Sequence, residues 1–291
     1  MFAATSPSDP IATPTPATPT AMQRSRGTIR LGFKADGDAC RLDTLFQQGC
    51  GKVRLPKPVS GAAEAVLLNT AGGLTGGDTY AVSVALGAGA RAEVAGQAFE
   101  KVYKASAGTA EITTELTIGD GARLDWLPQP AILFDRSALR RRTTVRLSGT
   151  ATFLAVEGLV FGRAAMGETV SRAAIHDGWR VWRDGRLVFA DAFCVNAERD
   201  EHSIRDTLAG RSTLDGAHAT ATVLYSGPEA GDALTSIRDL IADASGPAGA
   251  SLVNDLVVVR LVAPTAQALV ADLTRILTFL RGRPMPRVWH C

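Results

Sequence analysis

Residues Val66–Tyr80 read VLLNTAGGLTGGDTY, and the meaning given to their glycines decides the fold. Gly72, Gly73, Gly76 and Gly77 crowd into one short loop. A phosphate-binding loop needs GxGxxG spacing or a closing Gly-Lys-Ser/Thr, with a helix N-terminus beside it to face the phosphates. This stretch has neither. After Asp78 the chain alternates instead, with Tyr80, Val82, Val84 and Leu86 separated by Ala81, Ser83 and Ala85. That is the period of a half-buried strand. The glycines therefore read as a tight strand connection that needs positive φ or close backbone contact. Asp78 reads either as a turn-capping carboxylate or as an acidic group lining an internal channel.

Working outward, the same alternation recurs at Ile112, Thr114, Leu116 and Ile118, followed by the turn residues Gly119-Asp120-Gly121. Leu124 and Trp126 continue it until Pro128. Asp184-Gly185 between Val181-Trp182-Arg183 and Leu187-Val188-Phe189 predicts a hairpin with a type I′ turn. From Gly27 to about Ala192 strand follows strand without a helix, which predicts a mainly β, large antiparallel structure with no fixed-period repeat. The last third differs. Leu234, Ile237 and Ile241 fall at helical spacing, Leu256–Val262 is a β-branched run, and Leu269, Leu273, Ile276, Leu277 and Leu280 form one face of a second helix. Pro264-Thr265 opens that helix, and Gly282 and Pro284 end it. The domain reading is a disordered Pro/Thr-rich tail over 1–26 and a single domain over 27–291, β-rich to 226 and mixed from 227.

Bulk properties exclude several classes. The 291 residues carry a formal net charge of +2, with 46% hydrophobic and 21% charged residues, so a polyanion partner such as nucleic acid is not expected. The run Arg140-Arg141-Arg142 reads as a solvated face. Cys40, Cys50, Cys194 and Cys291 lack zinc-site spacing. Met1–Ala21 has no basic n-region or apolar h-region, and no apolar run reaches the roughly 20 residues that span a bilayer. The expectation is a cytoplasmic protein with no membrane contact.

Candidate chemistry is sparse. In Gln97–Lys104 (QAFEKVYK), Lys101 either pairs with an interior carboxylate or guards an exposed strand edge, the edge being the default. Arg163 and Glu168 bracket a glycine-containing turn and form a candidate salt bridge. His176, His202, His218 and His290 make no HExxH, and no Gly-x-Ser-x-Gly elbow occurs. Asp78 and Glu168 are the one carboxylate pair weighed for a β-structured carbohydrate-active hydrolase, the alternative reading. A nucleotide-binding regulator is a third class. His290-Cys291 reads as a frayed tail.

Taken in order, these stretches resemble the urease accessory protein D family (UreD, called UreH in some organisms). The resemblance rests on Leu68-Asn69 through Gly72–Asp78, Lys101-Val102-Tyr103, Trp126–Gln129 with Phe134, and Gly162-Arg163 with Gly167-Glu168. Arg180–Gly185 and Pro286–Trp289 complete it. Gly96 and Pro130 depart from the family pattern. The resemblance implies a mainly β, β-helix-like stack of strands with two C-terminal α-helices. It implies a non-catalytic scaffold that binds apo-urease, recruits a UreF-type partner and through it a GTP-hydrolysing UreG-type partner, and helps deliver Ni²⁺ to the site where a urease lysine is carbamylated. No tightly bound cofactor is implied, only transient Ni²⁺ in a polar interior passage. Asp78 and Glu168 on matched motif positions are the expected metal-passage carboxylates, with Lys101, Tyr103 and Arg163 as further polar interior groups.

Overall fold

The computed structural model describes residues 23–58, 61–163, 166–196, 204–211 and 213–290. The Pro/Thr-rich stretch Ser6–Thr20 and Cys291 lie outside the described residues. The chain opens with β1 (Arg26–Asp36), β2 (Ala39–Gly49) and β3 (Gly51–Arg54). It continues through β4 (Ala63–Asn69), β5 (Thr79–Leu86), β6 (Arg91–Gln97), β7 (Glu100–Val102) and β8 (Ala110–Ile118). Next come β9 (Arg123–Leu127), β10 (Ala131–Leu133), β11 (Ser137–Leu147), β12 (Thr152–Phe161), β13 (Ala173–Arg183) and β14 (Arg186–Asn196). The remainder is α1 (Ile204–Ala209), β15 (Ala219–Ser226), α2 (Ala230–Ala242), β16 (Ala248–Val253), β17 (Leu256–Ala263) and α3 (Ala266–Arg281).

Two sheets face each other. The first runs β14-β13-β11-β8-β5-β1-β2, and the second runs β16-β17-β15-β12-β9-β6-β4-β3, with β7 and β10 attached beside β12. The chain alternates between them as it climbs: β4 to β5, β6 and β7 to β8, β9 and β10 to β11, β12 to β13. The mainly β, β-helix-like class with two long C-terminal helices is thus what the chain adopts. Strand direction differs from the antiparallel expectation. β1, β5, β8, β11 and β13 are parallel, as are β4, β6, β9 and β12, and among the described residues the antiparallel strand pairs lie towards the ends of the stack.

The reason lies in the turns. Ala90 N donates to Gly87 O (3.1 Å), Ala122 N to Gly119 O (3.1 Å) and Ala151 N to Ser148 O (3.0 Å). These are equivalent corners, one per coil, each sending the chain across to the other sheet instead of back beside itself. Arg123 N on Ala90 O and Thr152 N on Ala122 O then tie each corner to the one before it. A weak repeat therefore exists in Gly87–Ala90, Gly119–Ala122 and Ser148–Ala151, which the sequence reading missed because only the turn chemistry repeats. The Asp184-Gly185 hairpin is as expected, with φ of 48° and 78° at its two turn residues. β16 and its Asn254-Asp255 turn went unread.

One core fills the space between the sheets and a second lies between the second sheet and α2 and α3. Thr265 Oγ1 caps α3 by accepting from Ala268 N, and Gly282 ends it in the left-handed region (φ 64°). Leu269, Leu273, Ile276, Leu277 and Leu280 are buried on the sheet, each worth about 1.5–3 kcal/mol. Parallel register also stacks carboxylates. Glu64 on β4, Glu93 on β6 and Asp125 on β9 are in-register neighbours. Arg281 from the end of α3 pairs with Glu93 (2.5 Å) and Asp125 (3.3 Å), and Arg283 reaches both. Arg281 is 1% exposed along its side chain and Asp125 is fully buried. Arg281→Ala would leave these carboxylates short of a charge partner, and a loss of about 3–5 kcal/mol is expected in urea denaturation. Lys34→Ala, which breaks the exposed pair with Asp43, should leave the midpoint where it is.

Candidate functional site

The inward columns of the first sheet grade from apolar to polar. Leu31, Val84, Leu116, Val145 and Val181 stack in register as one apolar column. Two steps along the strands, the column holds Ile29, Val82, Thr114, Thr143 and Trp179. At the far end stand Tyr80, Ile112, Arg141 and Asp177. The polar end borders a cavity of about 90 Å³ between the sheets. Its lining includes Asn69, Tyr80, Glu100, Trp126, Arg141 and Glu157.

One wall of the cavity is ionic. Arg141 forks onto Asp177, Nε to Oδ1 at 2.8 Å and Nη2 to Oδ2 at 2.6 Å, and its Nε lies 3.1 Å from Glu157 Oε2. Thr143 Oγ1 donates to Glu157 Oε1 at 2.7 Å. Burial pushes the Glu157 carboxyl up to about 7; the Arg141 charge opposes the rise and Asp177 adds to it. Burial works against the charge on Arg141, but Asp177 and Glu157 outweigh it and hold its pKa above the usual range. The buried indole Nε1 of Trp126 has no hydrogen-bond partner among the described residues. At the other wall Asn69 Nδ2 donates to Glu100 Oε1 (3.0 Å). Burial raises the Glu100 pKa, opposed by Asn69 and by the backbone N–H of Lys101. Tyr80 is raised by burial as well, and its hydroxyl donates to Leu68 O (3.3 Å). With three carboxylates to one guanidinium, the space between the sheets favours a cation over an anion when Glu100 and Glu157 are ionised.

The residues singled out from sequence sit beside this cavity, not within it. Asp78 is buried, but its oxygens accept from Ser25 N (2.8 Å) and Thr75 N (2.9 Å), so it caps the glycine loop. Glu168 pairs with Arg163 at 2.8 Å on the surface, and no contact joins it to Asp78. Arg163 lies 4.3 Å over the Phe134 ring, and Phe134 meets Tyr103 edge-on at 4.9 Å. Tyr103 is 37% exposed and donates its hydroxyl to Gly72 O (2.9 Å). Lys101 is exposed on β7. Lys101, Tyr103 and Arg163, expected as polar interior groups, therefore belong to the surface.

Register explains why these distant motifs meet. Leu74, Val102, Leu133 and Phe161 form a short third ladder, and Tyr103, Phe134 and Arg163 follow its members in sequence. Gly73 lies so close to this ladder that a Cβ there would fall 2.4 Å from the Tyr103 ring and 2.8 Å from Lys101 O. The glycine loop thus roofs the cluster, while Asn69 at its start reaches into the cavity.

Sequence reasoning missed Glu157, Asp177 and the role of Glu100. Glu157 is a lone carboxylate in the apolar run Thr152–Phe161, which was the available signal. The run Arg140–Arg142 is a solvated face only in part: strand alternation turns Arg140 and Arg142 outward and leaves Arg141 6% exposed. Gly96 lines the cavity, and Pro130 packs on Gly158. Because the folded-state pKa of Glu157 lies above its ordinary 4.5, the folded chain keeps a proton that the unfolded chain has lost. Its contribution to stability must fall as pH rises from about 4.5 to about 7. Glu157→Gln should gain melting temperature relative to wild type between these values, and an offset that does not change with pH would contradict the assignment.

The sequence model of the family described as UreD urease accessory protein matches residues 25–290. The chain is similar to the urease accessory protein UreD of Rhizobium etli, 46% identical over 275 residues that cover 94% of this chain and 98% of that one. It is similar to UreD of Chelativorans sp., 42% identical over 274 residues covering 94% and 96%. UreD of Methylobacterium sp. is 43% identical over 283 residues, covering 95% and 98%.

Proposed function

Since the chain belongs to the UreD urease accessory protein family, whose role lies in urease maturation, we propose that it is a non-catalytic scaffold that binds apo-urease and passes Ni²⁺ through the space between its sheets. In this reading a UreF-type partner docks on the scaffold and brings a UreG-type GTPase with it. Nickel is cargo and not a resident cofactor.

The observation that supports this reading is the cavity between the sheets, with Glu100 at one wall and Glu157 at the other, where Arg141 also holds Asp177. A buried ion pair seldom adds to stability compared with apolar packing, so its presence between the sheets favours a role other than holding the fold together. Carboxylate oxygens bind a hard or borderline divalent ion, and two separated groups, each already sharing its oxygens with Asn69, Thr143 or Arg141, hold it weakly. Weak holding is what transfer needs. Asp78 fixes the glycine loop that Asn69 opens, and the Arg163–Glu168 pair lies on the surface. No membrane role is proposed: among the described residues no helix is long and apolar enough to cross a bilayer.

Co-expression with urease tests the proposal. Glu100→Ala and Glu157→Ala should each lower the nickel content of the purified urease severalfold, while the variants still co-purify with apo-urease. Asp78→Ala and Glu168→Ala should lower it less. Full nickel loading with both cavity variants would remove the interior route, and failure of the wild type to associate with apo-urease would remove the scaffold itself.

A further inference from the structure

Among the polar groups around the cavity, one oxygen stands apart. Glu157 lines the cavity and is 5% exposed, yet its Oε2 takes no hydrogen bond among the described residues. The other oxygen, Oε1, accepts from Thr143 Oγ1 at 2.7 Å. Arg141 Nε lies 3.1 Å from Oε2, but that nitrogen carries a single hydrogen, which it donates to Asp177 Oδ1 at 2.8 Å. Nη2 completes the fork by donating to Asp177 Oδ2 at 2.6 Å. Glu157 Oε2 therefore meets the guanidinium as a charge and not as a donor. Both side chains are buried, so water screens that attraction little.

An arginine placed only to neutralise Glu157 would aim its donor there, since a buried acceptor left without one costs stability. Asp177, on the neighbouring strand β13, draws that donor away. What remains is a carboxylate oxygen with its lone pairs uncommitted, held beside a fixed positive charge. Carboxylate oxygen suits a divalent cation. The guanidinium next to it repels the same cation, which lowers the affinity without removing the ligand atom. We infer that Glu157 Oε2 is the oxygen that takes Ni²⁺ in transit, and that Arg141, positioned by Asp177, caps the affinity so that the ion leaves again. The inference rests on the interior nickel route proposed above. It adds which atom meets the cargo and what sets its release.

The test measures Ni²⁺ binding to the purified full chain by calorimetry, and the nickel content of urease co-expressed with the same variants. Arg141→Gln removes the charge and should lower the Ni²⁺ Kd at least about tenfold. Urease matured with this variant should hold severalfold less nickel, because the chain keeps what it binds. Arg141→Lys keeps the charge and should bind Ni²⁺ close to the wild-type Kd. Adding Glu157→Gln to Arg141→Gln should abolish the tightening. A residue that only supports the fold gives no tighter metal binding when it is removed. Asp177→Asn leaves Glu157 as the one carboxylate paired with Arg141, and should weaken Ni²⁺ binding severalfold. Folded Arg141→Gln that binds Ni²⁺ no tighter than wild type overturns the inference, as does tightening that persists in the double variant. Tighter binding together with full urease loading overturns the release role. If Arg141→Gln does not fold, Asp177→Asn decides, and wild-type affinity there overturns the inference. Full loading of urease by Glu157→Ala removes the interior route itself, a failure separate from that of the affinity cap.

Discussion

Parallel, in-register stacking of one coil on the next is the constraint from which the rest of the molecule follows. When each strand lies beside its equivalent from the preceding coil, every side chain meets its counterpart at roughly 4.8 Å. Apolar residues gain from this, and the column Leu31, Val84, Leu116, Val145 and Val181 packs without interruption. Charges do not. A carboxylate placed inside one coil must find its counter-charge in a neighbouring coil, in the facing sheet, or from outside the stack.

The chain uses all three solutions. Arg141 answers Asp177 in the next strand and Glu157 across the core. On the other side of the second sheet, the ladder Glu64, Glu93 and Asp125 is met from outside by Arg281 and Arg283, which arrive from the end of α3 more than 150 residues later. That clamp, together with Trp289 Nε1 on Leu127 O (3.0 Å), fastens the C-terminal layer to the stack. The two networks differ in what surrounds them. The outer one lies where the end of α3 meets the second sheet, whereas the inner one borders the cavity between the sheets. The inner arrangement is the one on which the proposed nickel route rests.

Much of this could be read from residues alone. Period-two alternation, the Asp184-Gly185 turn and the capped, Gly282-terminated α3 are encoded locally, so they were accessible without a structure. Strand direction was not, because a Gly-Asp-Gly corner looks the same whether the chain turns back beside itself or crosses to another sheet. The site was less accessible still. Asp78 and Glu168 stand out in sequence because they lie in glycine-rich loops, yet neither lines the cavity between the sheets. Glu157 and Arg141 look ordinary, one a single acid in an apolar strand, the other the middle of a basic run, and only pairing brings them face to face. The motif-bearing residues mark where the ladders turn, and the polar interior lies one strand further in.

Whether a cation occupies the space between the sheets is the question on which the functional account turns. Anomalous diffraction at the nickel edge, from crystals of the chain bound to apo-urease and exposed to Ni²⁺, answers it directly. The account places the anomalous peak between Glu100 and Glu157, inside the stack. A peak confined to the outer surface at Glu168, with none between the sheets, would contradict it.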